Sequence, residues 1–261
     1  MGDFRVTFLG TGTSQGVPMI ACDCPVCTSP DPRDTRTRSS LYVETPEAAF
    51  VVDTGPDFRV QCLRERVRRL DAVVYTHAHT DHIMGFDDLR RFCDLLPENT
   101  LPIYASPETM TDLERVFRFA FDGSARFPGY IRPEPHRVTD TFRLGETTVT
   151  PLPVPHGRIR VNGYLFERGG RKLFGYLSDC KAVPDAARER LAGVEVLVLD
   201  ALRHRPHPTH MSLDEALEVA AALRPRQTFL THLCHDLGHA ETEKGLPDGV
   251  RVAYDGLKIE P

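Results

Sequence analysis

The chain has 261 residues, 41% of them hydrophobic, which is enough to bury a substantial core in one large domain or two small ones. Its net charge of -5 and sequence pI of about 6.1 exclude a global basic field that would attract nucleic acid. No hydrophobic run approaches the length of a membrane span, and the N-terminus lacks the pattern of a signal peptide. These features predict a cytoplasmic protein with no membrane partner.

The first half of the chain alternates short strands with helices. A glycine-rich loop follows the first strand, and Pro56 opens a helix because proline is favoured at a first helical position. A hydrophobic strand then leads directly into a histidine-rich segment. We predict strands at 4–9, 39–44, 49–52, 72–76 and 102–105, helices at 56–69, 83–95 and 107–119, and a loop over 121–137.

The second half repeats an order of strands followed by helices. Gly169-Gly170 predicts a hairpin turn, and Ser212 with Glu215 forms a capping box at the start of a helix. We predict strands at 142–144, 147–154, 164–167, 172–177, 194–199, 227–231 and 250–254, with helices at 184–191 and 212–223. Without sustained strand–helix alternation or a linker, the pattern predicts two mixed, packed sheets with outer helices, in one domain over 1–261.

The segment THAHTDH, residues 76–82, concentrates three histidines and an aspartate at a strand end. His77 and His79 point the same way in an extended chain, and Asp81 and His82 follow where the strand turns into a helix. Imidazole suits zinc and similar metals, and aspartate adds a hard oxygen ligand. This arrangement fits two adjacent metal ions better than one.

Three further residues repeat one pattern downstream, in which a hydrophobic strand ends on a potential ligand. His156, Asp179 and His232 each close a predicted strand. A single histidine at a strand end is weak evidence, but several strands that end at one edge of a sheet can assemble a site. We therefore expect these residues to complete the metal cluster.

A second group of ligands lies near the N-terminus, where Cys22, Cys24 and Cys27 fall within six residues. In a cytosolic protein this spacing indicates a metal site rather than disulfides. A closed tetrahedral zinc site needs a fourth ligand, for which we favour His235, with the adjacent Cys234 as the alternative. Such a site stabilises the loop and cannot activate water.

The THAHTDH segment resembles the HxHxDH signature of the metallo-β-lactamase superfamily, and the resemblance covers essentially the whole chain. It implies an αβ/βα sandwich, two mixed sheets with helices on the outer faces. It also implies that Asp53 supports the cluster without binding metal. The ligands implied are His77, His79 and His156 for one metal, Asp81, His82 and His232 for the other, and Asp179 as the bridge.

Four further segments, GTGTSQGVP, CDCPVC, HPTHMSL and THLCHD, are similar to the PhnP-like group, named for the phosphoribosyl 1,2-cyclic phosphate phosphodiesterase of phosphonate breakdown. The resemblance implies that the three cysteines and a late histidine, His235 here, hold one structural zinc. It also implies a catalytic pair of divalent ions, often zinc or manganese. The ligand types alone accept zinc, manganese or iron.

His210 precedes the helix capped by Ser212, near unpaired backbone N–H groups that attract anions. A histidine there could protonate the leaving oxygen, and PhnP-like and RNase Z-like enzymes have a catalytic histidine in this position. A second substrate phosphate could be held by either of two arginine pairs, 203 with 205 or 158 with 160.

The hypothesis is a metal-dependent phosphodiesterase that hydrolyses a small cyclic phosphodiester with hydroxide bound at the dinuclear site, where Asp81 and His210 are catalytic. The substrate would be phosphoribosyl 1,2-cyclic phosphate or a nucleoside cyclic phosphate. Two metals about 3.5–4 Å apart can clamp the entering and leaving oxygens.

Two alternatives remain open. One is an RNase Z-like endonuclease that processes the 3′ end of tRNA, which the acidic balance and the lack of a basic arm disfavour. The other is a PqqB-like accessory protein of cofactor biosynthesis, which the full set of seven ligands disfavours. The expected partners are a small phosphodiester and a second copy in a homodimer, rather than nucleic acid.

Overall fold

The structure is a computed structural model that describes residues 3–123 and 129–261. The described strands form two seven-stranded sheets. The first has the order β14-β1-β2-β3-β4-β5-β6, with β1 Arg5–Gly10, β2 Ser40–Glu44, β3 Ala49–Val52, β4 Ala72–Val74, β5 Leu101–Ala105, β6 Pro133–Arg137 and β14 Lys258–Ile259. The second has the order β13-β12-β11-β10-β9-β8-β7, with β7 Phe142–Leu144, β8 Thr147–His156, β9 Ile159–Arg168, β10 Arg171–Leu177, β11 Val196–Asp200, β12 Gln227–Thr231 and β13 Val250–Val252.

Each sheet is antiparallel on one side and parallel on the other. Strands β1 to β3 and β7 to β10 pair antiparallel, whereas β3 to β6 and β10 to β13 pair parallel. Parallel neighbours need crossover connections, and helices supply several of them. The expectation that strand–helix alternation would be absent was therefore wrong for the parallel half of each sheet.

The helices cover the outer faces of the two sheets. They are α1 Phe58–Glu65, α2 Thr80–Ile83, α3 Arg90–Leu95, α4 Pro107–Val116, α5 Arg118–Phe121, α6 Asp185–Leu191, α7 Leu213–Leu223 and α8 His239–Lys244, with 3-10 turns at Pro32–Asp34 and Phe86–Leu89. Hydrophobic side chains of α1, α3 and α4 pack on the first sheet, and those of α6 and α7 pack on the second. In the described residues, none of these helices is long and apolar enough to cross a membrane.

A third hydrophobic cluster fills the space between the sheets. Phe50 stacks on Phe166 with ring centroids 5.7 Å apart, and Phe8 approaches Phe229 at the same distance. Helices outside and sheets inside give the αβ/βα sandwich, so the predicted fold class is confirmed. The single-domain organisation over 1–261 stays a prediction, supported by this shared core.

Several predicted segments differ from the structure: the helix predicted over 56–69 spans only Phe58–Glu65, the helix over 107–119 is divided at Phe117, the strand over 164–167 extends over Ile159–Arg168, and α8 and β14 were not predicted. Two further differences have a clear physical cause. The helix predicted over 83–95 is broken at Gly85, where a Cβ atom would lie 2.2 Å from the carbonyl oxygen of Gly55, because two backbones meet closely there. The loop predicted over 121–137 contains β6, and its residues 124–128 lie outside the described residues. Pro133 and Pro135 hid this strand, since proline cannot donate to a strand ladder and is favoured at sheet edges, and β6 is an edge strand.

The C-terminal ends of β4, β8, β10, β11 and β12 lie at the same end of the sandwich, where potential ligands follow or close them. Two hydrogen bonds tie the sheets together beside that end. The hydroxyl of Tyr164 donates to the carbonyl of Tyr75 at 2.7 Å, and the backbone N–H of Asn162 donates to the carbonyl of Thr76 at 3.0 Å. The packing of the sheets therefore brings distant strand ends to one place.

Candidate metal centre

Three imidazoles form one side of the cluster. The ligand atoms of His77, His79 and His156 all lie within 4.8 Å of one another. The Nδ1–H of His156 donates to the carbonyl oxygen of Thr209 at 3.0 Å, which fixes the tautomer and leaves Nε2 as the lone-pair atom. A histidine held in this way by its outer nitrogen is typical of a metal ligand.

Two aspartates and two histidines form the other side. The ligand atoms of Asp81, His82, Asp179 and His232 also lie within 4.8 Å of one another. His82 Nε2 is 3.2 Å from Asp81 Oδ2 and 3.3 Å from Asp179 Oδ2. Yet His82 Nε2, Asp179 Oδ2 and His232 Nε2 are buried without a properly oriented hydrogen-bond partner among the described residues. Buried polar atoms that converge without hydrogen bonds are suited to bind a metal ion.

Asp179 faces both sides of this histidine–aspartate cluster, by which we mean the seven residues just described. Its Oδ1 is 3.2 Å from His232 Nε2, and its Oδ2 points to His82. It also lies within 4.8 Å of the ligand atoms of His156 and His210. This central position is the one that a bridging carboxylate needs, and the bridging role stays a prediction.

Asp53 orients His82 from behind. Its carboxylate accepts hydrogen bonds from His82 Nδ1 at 2.7 Å, from the backbone N–H of Thr76 at 2.8 Å and from the hydroxyl of Thr76 at 2.7 Å. Burial raises the pKa of Asp53, although these donors act against that rise. With Nδ1 held in this way, His82 presents Nε2 to the cluster. The supporting role that the resemblance implies for Asp53 stays a prediction.

Asp200 was missed as a candidate site residue, although it ends β11 much as the predicted ligands end or follow their strands. It is fully buried, and its Oδ2 accepts from His210 Nδ1 at 2.7 Å and from the backbone N–H of Cys180 at 2.9 Å. Burial raises the pKa of Asp200 well above its usual value and lowers the pKa of His210 to about 4. The His210 ring lies 4.6 Å from the His156 ring and 4.7 Å from the His232 ring.

Four buried or nearly buried carboxylates lie in or directly beside the cluster. Among the described residues, Asp53, Asp81, Asp179 and Asp200 make ion pairs within 4.0 Å only with histidines. Burial acts to lower the pKa of His82, but the facing carboxylates of Asp179, Asp81 and Asp53 raise it well above its usual value. Imidazole nitrogens and carboxylate oxygens suit zinc, manganese and iron, so the donor set fits two divalent ions.

The four residues of the predicted zinc site also come together; we call them the cysteine site. His235 Nδ1 lies 3.1 Å from Cys22 Sγ, 3.5 Å from Cys24 Sγ and 3.7 Å from Cys27 Sγ. Ligands of one tetrahedral zinc would have sulfur and nitrogen about 3.5 Å apart, from the usual bond lengths. The donor set and these separations fit one structural zinc.

The thiols of this site differ in acidity. The backbone N–H of Cys27 donates to Cys24 Sγ and lowers the pKa of Cys24 to about 6, whereas burial raises the pKa of Cys27 to about 11. All seven cysteines are free thiols in the structure. Cys234, the alternative fourth ligand, lies outside the group and its sulfur accepts from the backbone N–H of Asp236.

A cleft of about 250 Å³ lies between His210, which borders the cluster, and His235 of the cysteine site. His210 and His235 both line it, as do Arg203 and Arg205 of the first predicted arginine pair. Arg160 of the second pair instead lines a separate groove between β8 and α6. The structure therefore separates two arginine pairs that the sequence left equivalent.

Known proteins match this chain along most of its length. The beta-lactamase superfamily domain matches residues 49–233. A crystal structure of a diphosphatase from the PhnP family is similar over 98% of this chain and 96% of that chain, with 43% identity and a TM-score of 0.89. The short form of human tRNase Z has 19% identity and a TM-score of 0.70 over 98% of this chain and 99% of its own, which shows the fold alone.

Two relatives have other names. An octanoyltransferase of Porphyromonas gingivalis is 33% identical over 97% of this chain, but the chain spans only about half of that protein, 51%. Coenzyme PQQ synthesis protein B of Methylobacterium radiotolerans is 30% identical over 75% of this chain and 72% of its own length. The matched domain, the sandwich and the PhnP-family structure agree: this chain belongs to the metallo-β-lactamase superfamily and to its PhnP-like group.

Proposed function

We propose that this hydrolase-fold protein is a dinuclear metal-dependent phosphodiesterase that acts on a small cyclic phosphodiester. Phosphoribosyl 1,2-cyclic phosphate and nucleoside cyclic phosphates are the candidate substrates. The observation that carries the proposal is the pair of adjacent ligand groups, which place Asp179 within reach of both. Two adjacent divalent ions favour phosphoester hydrolysis, whereas a single open zinc would favour amide or ester cleavage.

The seven residues of the histidine–aspartate cluster would hold the two ions. When bound, these ions would supply Lewis-acid stabilisation of the phosphoryl oxygens and lower the pKa of a coordinated water. The protein contributes orientation, because Asp53 and Thr209 hold the outer nitrogens of His82 and His156. Zinc and manganese are the proposed metals.

His210 is the proposed proton donor to the leaving oxygen. Its ring lies beside the cluster, and its Nδ1 is held by Asp200, so Nε2 is the atom free to face the substrate. Burial favours neutral imidazole, but an anionic phosphate close to the ring would raise the pKa of His210. The buried Asp200 carboxylate then stabilises the imidazolium that the reaction requires.

The cysteine site is proposed to hold one structural zinc. This zinc would fix the loop that carries Met19, and Met19 lines the same cleft as His210. The site therefore supports one wall of the substrate cleft without taking part in the reaction.

A diphosphate is the second candidate substrate. The observation that favours it is the 43% identical PhnP-family structure, which is named a diphosphatase. Hydrolysis of a diphosphate would use the same ions and the same proton donor, since both reactions displace an oxygen from phosphorus. The name octanoyltransferase belongs to a relative about twice as long, of which about half lies outside the match with this chain.

The RNase Z-like and PqqB-like alternatives are less well supported. The chain carries a net charge of -5, which is unfavourable for gripping a tRNA. The PqqB-like alternative rests on relatives of 30% identity or less, and a full set of ligands together with His210 favours retained hydrolysis. We propose that the protein acts in the cytoplasm on a small phosphodiester. The proposed assembly is a homodimer.

Purified protein tests the proposal directly. Metal analysis is expected to find two divalent ions beyond one zinc, and loaded protein should hydrolyse bis(p-nitrophenyl) phosphate and 2′,3′-cyclic nucleotides. Two further substrates should be tested beside these. One is a diphosphate, such as a dinucleotide joined through a diphosphate group, and the other is a precursor tRNA. If the protein trims tRNA efficiently at physiological salt and does not hydrolyse the cyclic substrates, the proposed phosphodiesterase function is wrong. The RNase Z-like alternative would then be supported.

A further inference from the structure

Arg36 is buried between the two segments that form the cysteine site, the loop with the three cysteines and the turn that carries His235. Its side chain is inaccessible to solvent, and among the described residues only Asp34 places a carboxylate within 4.0 Å of it, at 3.1 Å. Its Nε is buried without a hydrogen-bond partner in the same part of the chain. Burial of a guanidinium is costly, and a buried ion pair is weak evidence for stability. The position of Arg36 therefore calls for a role beyond stability.

The guanidinium holds the turn that carries His235. Its Nη1 donates to the carbonyl oxygen of Cys234 at 3.0 Å, and its Nη2 donates to the carbonyl oxygen of Leu237 at 2.6 Å. These two carbonyls lie on either side of His235 in the chain. The rigid fork of the guanidinium therefore sets the spacing across this turn, which the point charge of a lysine would not do.

The backbone of the same residue holds the loop that carries the cysteines. Arg36 and Val17 exchange two backbone hydrogen bonds, of 2.7 and 2.9 Å. Two residues beyond Val17, the backbone N–H of Met19 donates to Cys27 Sγ at 3.3 Å. Arg36 is therefore connected to both segments of the cysteine site, through its backbone to one and through its side chain to the other.

Two further residues keep Arg36 in this position. The Asp34 carboxylate that accepts from Nη2 also accepts from the backbone N–H of His239, at 2.7 Å, at the start of α8. On the other side, a Cβ atom at Gly12 would lie 2.6 Å from the carbonyl oxygen of Arg36, so the glycine-rich loop packs directly on this backbone. These contacts restrict the arginine to one place between the two segments.

The ligands of the cysteine site are far apart in the chain, since 208 positions separate Cys27 from His235. A metal ion that had to bring such distant segments together would lose part of its binding free energy in ordering them. Segments that are already held in place avoid that loss, because preorganised ligands bind more tightly.

We propose that Arg36 is a positioning residue that assembles the cysteine site for its metal, by holding the cysteine loop and the His235 turn together. The proposal rests on the structural zinc proposed above and is independent of the substrate. Among the described residues, no hydrogen bond joins Arg36 to the four ligand side chains, so it acts through the two segments that carry them.

The test measures the metal affinity of the cysteine site in the full-length protein. Cobalt bound by thiolates absorbs strongly in the near ultraviolet by charge transfer from sulfur, whereas the histidine–aspartate cluster offers only nitrogen and oxygen ligands. Cobalt-loaded protein is titrated with EDTA, and loss of this absorption reports the cysteine site alone. In Arg36→Met the affinity should fall by about 10- to 100-fold, the range typical of removing a partner outside the ligand shell. Arg36→Lys keeps the charge beside Asp34 but not the fork, so its affinity should fall by a few-fold.

The control for a general loss of stability is Leu113→Ala. Leu113 is fully buried on α4, in the hydrophobic cluster on the outer face of the first sheet. This variant should lower the melting temperature and keep the wild-type affinity for cobalt. If the affinity is unchanged in Arg36→Met, or falls equally in Leu113→Ala, Arg36 does not position the site.

Two further outcomes are decisive. If Arg36→Met does not fold, Arg36→Lys decides the question, and a wild-type affinity in that variant contradicts the proposal. If the wild-type protein shows no charge-transfer absorption from sulfur, the cysteine site does not bind metal. The proposed structural zinc and the role of Arg36 would then both be wrong, whereas the phosphodiesterase function would be unaffected.

Discussion

The histidine–aspartate cluster and the cysteine site meet in the chain between His232 and His235, yet they are built differently. Ligands of the cluster come from four separate segments and are mostly buried. Outer hydrogen-bond partners orient two of them, Asp53 for His82 and the Thr209 carbonyl for His156. The cysteine site takes three ligands from six residues of one loop and is only partly buried. The first site depends on the packing of two sheets, whereas the second depends on one local turn and one distant histidine.

This difference predicts how each site fails. A defect in the cluster leaves buried charge without compensation, so it should abolish the reaction and disturb metal binding together. A defect in the cysteine site releases a loop, so it should lower stability first and activity second. The following variants separate these two outcomes.

The largest effect is expected for Asp179→Ala. Loss of the carboxylate that faces both ligand groups should lower kcat/KM on bis(p-nitrophenyl) phosphate by well over about 100-fold, beyond the cost of losing an outer contact. Metal analysis should show loss of the cluster ions and retention of one zinc. The control is Asp185→Ala, an exposed aspartate on α6. If Asp179→Ala keeps full activity and two cluster metals, Asp179 does not bridge the two ions.

His210→Ala should lower kcat by about 10²- to 10⁴-fold on a cyclic nucleotide, as expected for loss of a general acid. The loss should be much smaller on bis(p-nitrophenyl) phosphate, because p-nitrophenolate leaves without a proton. Metal content should stay at the wild-type level, and Asp200→Asn should show the same pattern more weakly. Equal losses on both substrates would instead assign His210 to metal binding or to structure.

Cys24→Ser should lose one equivalent of zinc, lower the melting temperature and reduce activity only in part. The physical reason is that the three thiolates and His235 close around one ion on a loop outside the cluster. His235→Ala should behave in the same way, and Cys234→Ser should keep its zinc. If Cys234→Ser loses the zinc and His235→Ala retains it, then Cys234 rather than His235 is the fourth ligand.

The smallest effect concerns the helix cap beside His210. The Ser212 hydroxyl accepts from the backbone N–H of Glu215, and its loss in Ser212→Ala should lower the free energy of unfolding by about 1 kcal/mol. Since Ser212 is two residues from His210, kcat should also fall by a few-fold.

Ser106→Ala is the matched cap variant. Its hydroxyl accepts from the backbone N–H of Thr109 at the start of α4, outside both ligand groups. Denaturant unfolding should show a similar loss of stability with unchanged kcat. A comparable loss of activity in both variants would show that stability alone controls turnover.

Much of the fold followed from local patterns. The capping box at Ser212 and the hairpin at Gly169-Gly170 appear where they were predicted, because these signals depend on neighbours in the chain. The break at Gly85 and the edge strand β6 were missed, since one depends on contact with Gly55 and the other on its place at a sheet edge. No local pattern contains those contacts.

For the candidate sites, the sequence by itself determined the residue types and their positions at strand ends, from His77 through His232, and the spacing of the three cysteines. Only the tertiary structure decided which of them meet. It brought His235 rather than Cys234 to the cysteines, placed Asp200 behind His210, and put Arg203 rather than Arg160 in the cleft. The reason is geometric: sequence spacing sets the direction of a side chain along its own strand, whereas distances between strand ends depend on how the sheets pack.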